Sequence, residues 1–219
     1  MNSKPFQTVL FIAIIFLGCN SQTEIKKIEV NGVNNPVISI SGTWKFTMTP
    51  PENFWENNVD FQNWSDIQVP GECQMQGFAI KHDLPYVYKH QFDIPVDYND
   101  KLISLNFYCV YSYARIWVNG EFIREHFGGF TKWSADISEF VTPGEEAVLT
   151  VEIVDRADDI SYASGYAKHQ IGGILRDVEL VALPKQNFKN LFFETDLDEK
   201  FENADLNVFY ELTKIRLSK

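Results

Sequence analysis

Tyr113-Ala114-Arg115-Ile116-Trp117-Val118-Asn119-Gly120-Glu121-Phe122-Ile123-Arg124 is the stretch that decides the fold. Its first six residues alternate, with Ala114, Ile116 and Val118 on one face and Tyr113, Arg115 and Trp117 on the other, the period of a strand. Asn119-Gly120 then supplies positive φ at both turn positions and closes a tight hairpin onto Glu121 to Arg124. Outward from this hairpin the same signature recurs. Val37 to Phe46, Tyr86 to Ile94, Lys101 to Val110, Ala147 to Val154 and Asp177 to Ala182 are short runs rich in β-branched and aromatic residues, separated by Gly, Pro, Asn or Asp. No long helical period interrupts them. The pattern predicts an all-β chain whose residues 37–184 form an antiparallel jelly-roll β-sandwich.

Beyond Leu183-Pro184 the pattern changes, and Phe188 to Thr195 and Ala204 to Leu212 read as the first two strands of another β domain. Residues 185–219 are about 35 in number, whereas an immunoglobulin-like sandwich takes roughly 100. The expectation is therefore the truncated start of an incomplete immunoglobulin-like sandwich, with a truncation or frame shift behind the ending Lys214-Ile215-Arg216-Leu217-Ser218-Lys219. Half a sandwich leaves an unpaired edge and an apolar face.

The composition narrows the class of function. A formal charge of -11 and the lack of any Lys/Arg run exclude phosphate-backbone binding, so nucleic acid is not an expected partner. At 45% hydrophobic and 15% aromatic residues the chain has ample material for a core. Residues 1–18 read as a lipoprotein signal peptide: Lys4 starts it, Val9 to Leu17 is an unbroken apolar run too short to span a bilayer, and Gly18 precedes Cys19. Phe16-Leu17-Gly18-Cys19 resembles the bacterial lipoprotein cleavage box, which makes Cys19 the expected lipidation site. The polar residues 19–36, with turn formers at Asn31-Gly32 and Asn34-Asn35-Pro36, suit a tether. The expected location is outside the cytoplasm, lipid-anchored to the cell envelope at the periplasm or outer membrane, with the membrane touched through the lipid alone. Cys73 and Cys109 then sit in an oxidising compartment, where their pairing is open; Cys109 lies in a strand pattern and reads as a small buried hydrophobe.

Six motifs in order carry a resemblance: Ser41-Gly42-Thr43-Trp44-Lys45-Phe46, Val69-Pro70-Gly71-Glu72, Ala114 to Gly120, His126-Phe127-Gly128-Gly129-Phe130-Thr131, Asp136-Ile137-Ser138 and Gly173-Ile174-Leu175-Arg176-Asp177-Val178. Together they resemble the N-terminal sugar-binding domain, a galactose-binding-like jelly roll, of glycoside hydrolase family 2, in its β-galactosidase branch. That family places an immunoglobulin-like sandwich second and a (β/α)8 barrel with two catalytic carboxylates third. The resemblance implies a carbohydrate, a β-glycoside, as the partner, and contact with the missing immunoglobulin-like and barrel domains of the same enzyme. A retaining glycosidase needs an acid and a nucleophile about 5 to 5.5 Å apart, and a barrel needs roughly 250 residues. No residue here is given a catalytic role.

Within the resemblance, Asp159-Ile160-Ser161-Tyr162 aligns with a loop that in family 2 β-galactosidases reaches the active site, where an aspartate binds sugar hydroxyls and can ligate sodium. Asp159 is thus the substrate-binding residue and metal ligand that the resemblance implies, with Asp158 as the register alternative. A carboxylate suits the task because it accepts two hydroxyl hydrogen bonds at charge-assisted strength. The competing reading is a loop aspartate capping its own turn. His169 in the same loop is a candidate donor to a substrate oxygen, and Tyr162 a stacking surface, each set against plain loop packing. Sodium or magnesium is the cofactor implied for a full-length enzyme, and none for this stretch. Arg176 and Asp177 read as a structural ion pair, Glu145-Glu146 as a solvated turn, and Trp44, Trp117 and Trp133 as core or inter-domain seam. Lys81-His82-Asp83-Leu84 is shorter than the matching β-galactosidase stretch, and no residue is carried over there. The expected function is sugar binding within a retaining β-galactosidase-like hydrolase of O-glycosyl bonds, inactive as these 219 residues alone. The alternative is a free-standing, non-catalytic carbohydrate-binding or scaffold lipoprotein.

Overall fold

The computed structural model describes residues 28–156 and 171–213. Their regular structure is almost entirely β, with two short 3-10 turns at Gln74–Gln76 and Val96–Tyr98. Two antiparallel sheets face each other. One has four strands in the order β1 (Val37–Ser39), β12 (Val178–Pro184), β5 (Lys101–Phe107) and β9 (Trp133–Asp136). The other has six: β3 (Ser65–Val69), β2 (Gly42–Thr47), β4 (Tyr86–Asp93), β10 (Glu146–Val154), β7 (Tyr113–Val118) and β8 (Glu121–Phe127). A short pair, β6 (Val110–Tyr111) with β11 (Gly173–Ile174), stands apart from both sheets.

The hairpin forms as its sequence predicts. Asn119 and Gly120 take φ of 52° and 85° between β7 and β8, and Asn119 is fixed further when its side-chain amide donates to the Phe140 carbonyl at 2.8 Å. Ala114, Ile116 and Val118 point into the core between the sheets. There they meet Trp44, Phe46, Tyr88, Leu105 and Phe107, all nearly devoid of exposed surface. Each such side chain stabilises the fold by roughly 1.5 to 3 kcal/mol through burial.

The outward face of β7 is more apolar than alternation alone suggests. Trp117 is 6% exposed because residues 54–64 fold over it: Phe54 meets it edge-on at 5.3 Å and Trp55 stacks on it at 5.9 Å. Under the same cover Lys89, 1% exposed, donates through Nζ to the Glu56 carbonyl at 3.0 Å. Arg115 pairs with the buried Glu152 on that face.

Two expectations are corrected. The run Val37 to Phe46, read as one strand, splits at Ile40-Ser41, and its halves join different sheets. Gly42 at φ 135° is the break, and Ile40 bridges it by accepting from Trp44 Nε1 at 2.9 Å. Arg176 and Asp177 form no ion pair among those of the described residues; Asp177 accepts from Ser41 Oγ at 3.3 Å instead. Glu145 and Glu146 lie exposed at a turn, as read from the sequence. After Pro184 come β13 (Phe188–Leu197) and β14 (Ala204–Leu212), a two-stranded antiparallel hairpin exposed along its whole length.

Candidate functional site

Asp158, Asp159, Tyr162 and His169, the residues expected to meet a sugar, lie outside the described residues, as does the lipidation candidate Cys19. The two ends of that stretch are described, and the structure brings them together at one end of the sandwich. The chain leaves through Val154-Asp155-Arg156 at the tip of β10 and returns at Ile171-Gly172 into β11.

Three features hold the leaving end. The Asp155 carboxylate is fully buried, and His82 Nδ1 lies 2.7 Å from its Oδ2. The Asp83 amide donates to the Asp155 carbonyl at 2.9 Å. The Arg156 amide donates to Ser112 Oγ at 3.1 Å, and that hydroxyl donates to the Val154 carbonyl at 3.3 Å. The Arg156 guanidinium lies 5.5 Å from the ring centres of both Tyr113 and Phe127, a cation–π arrangement on the exposed side of β7 and β8.

The returning end is held as closely. Loop residues 71–73 run beside it: the Gly71 amide donates to the Ile174 carbonyl at 2.8 Å and the Cys73 amide to the Gly172 carbonyl at 2.9 Å. Glu72 accepts from the Gly172 amide through Oε1 at 3.3 Å and from the Met75 amide through Oε2 at 2.7 Å. Gly173 takes φ 121°, and a Cβ there would lie 2.9 Å from both the Gly71 carbonyl oxygen and Tyr88 Oη. This close approach is why the motif needs glycine at that position. On the other side Gly173 pairs with Tyr111 across β6 and β11.

Beneath the two ends lies a dry floor. Cys73 Sγ and Tyr88 Oη are 3.0 Å apart, and Tyr86 Oη donates to the Tyr111 carbonyl at 3.3 Å. Burial pushes the Cys73 thiol up to about 12 and both tyrosines well above their ordinary range. The thiol is thus a packed hydrophobe with a weak hydrogen bond, and not a nucleophile. Cys73 and Cys109 are both free and buried, and Cys109 Sγ donates to the Gly129 carbonyl at 2.8 Å. Among the described residues no group of three or more His, Cys, Asp or Glu side chains is arranged to hold a metal ion. Asp159, the sodium ligand expected from the sequence, is not among them, so no donor set is assigned.

Sequence reasoning missed His82, Asp155 and Glu72. His82 lies in the segment from which nothing was carried over, and its contact with Asp155 joins residues far apart in the chain, where no local period or motif signals the pairing.

Residues 79–184 match the family model described as "Glycosyl hydrolases family 2, sugar binding domain". Similar curated proteins are β-galactosidases. That of Halalkalibacterium halodurans is 26% identical over 204 residues, 80% of this chain and 20% of the enzyme. That of Clostridium acetobutylicum is 28% identical over 198 residues, 77% of this chain and 22% of the enzyme. That of Vibrio cholerae is 30% identical over 203 residues, 81% of this chain and 19% of the enzyme. The chain thus spans about a fifth of the length of the curated relatives it matches. Among solved structures, the β-glucuronidase of Ruminococcus gnavus is similar in fold, with a TM-score of 0.68 at 23% identity over 82% of this chain and 33% of that one.

Proposed function

Through residues 79–184 the chain belongs to glycosyl hydrolase family 2 as the bearer of its sugar-binding domain, and from that premise we propose that it serves a retaining β-glycosidase of the β-galactosidase type. Its part in the reaction is to supply one wall of the sugar pocket. Bond cleavage needs two carboxylates on a rigid frame, and the proposal leaves these to a barrel domain of the same enzyme. Asp159 contacts sugar hydroxyls, with Asp158 as the register alternative, while Tyr162 and His169 complete the wall. Sodium, if the enzyme uses it, shares Asp159. In this reading Cys19 carries a lipid that ties the enzyme to the cell envelope.

The observation that best supports the reading is the treatment of the two ends of segment 157–170. The buried Asp155 carboxylate, with His82 Nδ1 2.7 Å away, and three contacts of the backbone at Gly172 to Ile174 give that segment a rigid base on the sandwich. Sites on rigid elements keep their binding groups within the small tolerance that catalysis needs. The preference for galactoside over glucuronide rests on the names of the curated relatives. A substrate panel tests it: the protein recovered from its own cells is assayed on aryl β-galactoside and aryl β-glucuronide. Faster turnover of the galactoside is expected. Turnover of the glucuronide alone moves the protein to another branch, and turnover of neither removes the enzymatic reading.

A further inference from the structure

Trp133 carries a polar group that the fold leaves unused. The residue is 6% exposed, and among the described residues its buried Nε1 has no hydrogen-bond partner. An indole nitrogen only donates, and a buried donor left unmatched is uncommon enough to need a reason. Two rings stack on the indole, Phe107 at 4.3 Å and His126 at 4.9 Å, so a partner must come to its edge. His126 lies on β8 and Trp133 on β9, the outermost strands of the two facing sheets. No ladder joins these strands, and side chains close the seam between them. Arg124, also on β8, donates through Nη1 to the Ser134 carbonyl at 2.7 Å and through Nε to the Glu125 carbonyl at 3.2 Å. Its guanidinium lies 5.4 Å from the centre of the indole ring system. Two of the five guanidinium N–H groups are thereby used, which leaves three. Among the described residues no carboxylate pairs with this cation.

We propose that the β8–β9 seam binds an acidic sugar, with Arg124 and the Trp133 indole N–H donating to its carboxylate or sulfate. Such a group only accepts, and it takes a guanidinium through parallel charge-assisted bonds. One anion thus answers both surplus donors. Thr131 stands exposed at the same seam, its Oγ1 3.0 Å from His126 Nε2. A hydroxyl both donates and accepts, which suits the hydroxyls of a sugar ring and serves no purpose toward the carboxylate of a protein partner. The seam also lies inside residues 79–184, the domain described as sugar binding. Entry needs no backbone rearrangement, because His126 is half-buried and its ring uncovers the indole by turning outward. Burial first, and the Arg124 charge second, hold His126 below its ordinary pKa. An anion at the seam offsets the Arg124 charge, so binding raises that pKa. The site stands independently of the role proposed for Asp159.

The test follows the Trp133 indole N–H resonance of the full chain by NMR, assigned through its loss in Trp133→Phe, while sugars are added at neutral pH. The probes are methyl β-glucuronide, a galactose sulfate and, as the neutral control, methyl β-galactoside. An acidic sugar is expected to move the resonance in a saturable way, the responding probe telling carboxylate from sulfate, and the galactoside to leave it in place. His126, followed through its ring protons, should then titrate at higher pH with the sugar than without it. By calorimetry Trp133→Phe and Arg124→Gln should each weaken binding about ten-fold or more, with thermal transitions close to that of the wild type. No response to either acidic sugar overturns the proposal, as does an equal response to the galactoside or undiminished affinity in Arg124→Gln. Equal responses to acetate or inorganic sulfate overturn the sugar and leave a bare anion site. Where a variant fails to fold, the wild-type titrations alone decide between these outcomes.

Discussion

Lys89 offers a quantitative test of how the outward face of the six-stranded sheet is buried. Its Nζ donates to the Glu56 carbonyl at 3.0 Å and lies 5.2 Å from the centre of the Phe61 ring, with 1% of the residue exposed. Burial disfavours the ammonium and lowers its pKa from 10.5 to about 8. A lysine depressed in this way binds its proton less tightly when folded than when unfolded. Between about pH 8 and 10.5 the unfolded chain holds more protons, so stability rises with pH across that window. From pH 7 to pH 9 the native group passes from mostly charged to mostly neutral while the unfolded one stays charged, and linkage gives a gain of about 1.3 kcal/mol. Lys89→Met keeps the apolar stem and removes the titration. Its offset at pH 7 mixes the relief of a buried charge with the loss of a donor to Glu56, so the slope and not the offset is diagnostic. Urea unfolding of both proteins at half-unit steps from pH 7 to 9 measures the difference. The wild-type curve should climb about 1.3 kcal/mol relative to the variant; parallel curves, within about 0.3 kcal/mol, would refute the reasoning.

Other consequences can be checked with ordinary tools. Gly173→Ala should lower stability by about 3 kcal/mol or more, since positive-φ strain adds to close contacts with backbone and Tyr88, and it should shift the urea midpoint without changing the slope; a shift too small to measure contradicts the close approach. Cys73, its thiol pushed up to about 12 and without exposed surface, should resist a maleimide at pH 8 in the native protein and react once the chain is unfolded. Stoichiometric native labelling at Cys73 would show that the floor is open. Asp159→Ala in the active enzyme should raise KM and lower turnover while the thermal transition stays in place; unchanged kinetics take Asp159 out of the site.

The hairpin at Asn119-Gly120 was legible because two rules agree there: alternation sets the strands and positive φ sets the turn. The family-like motif around Gly173 was legible for a related reason, since only glycine fits its backbone. The division of Val37 to Phe46 between two sheets was not, because Val37 and Trp44 share one composition and only their tertiary partners, β12 and β3, separate them. The strands Ser65–Val69 and Trp133–Asp136 escaped notice as well. Both are edge strands with polar outward residues and too few apolar ones to signal a period. Trp117 showed the limit of alternation: the rule assigned it to the outward face correctly, yet burial there depends on residues 54–64 folding across. The contact between His82 and Asp155 is wholly tertiary, and nothing near either residue announces the other.

The central claim is that this sandwich works as the sugar-binding part of a β-galactosidase-type enzyme. The most direct measurement is the intact mass of the species bearing it in its own cells, captured with an antibody against the sandwich and assayed in the same fraction on aryl β-galactoside. The account predicts a species far larger than 25.3 kDa that hydrolyses the galactoside. A stable species near or below that mass, bound to glycan and without hydrolysis, would contradict it and make the protein a binding module.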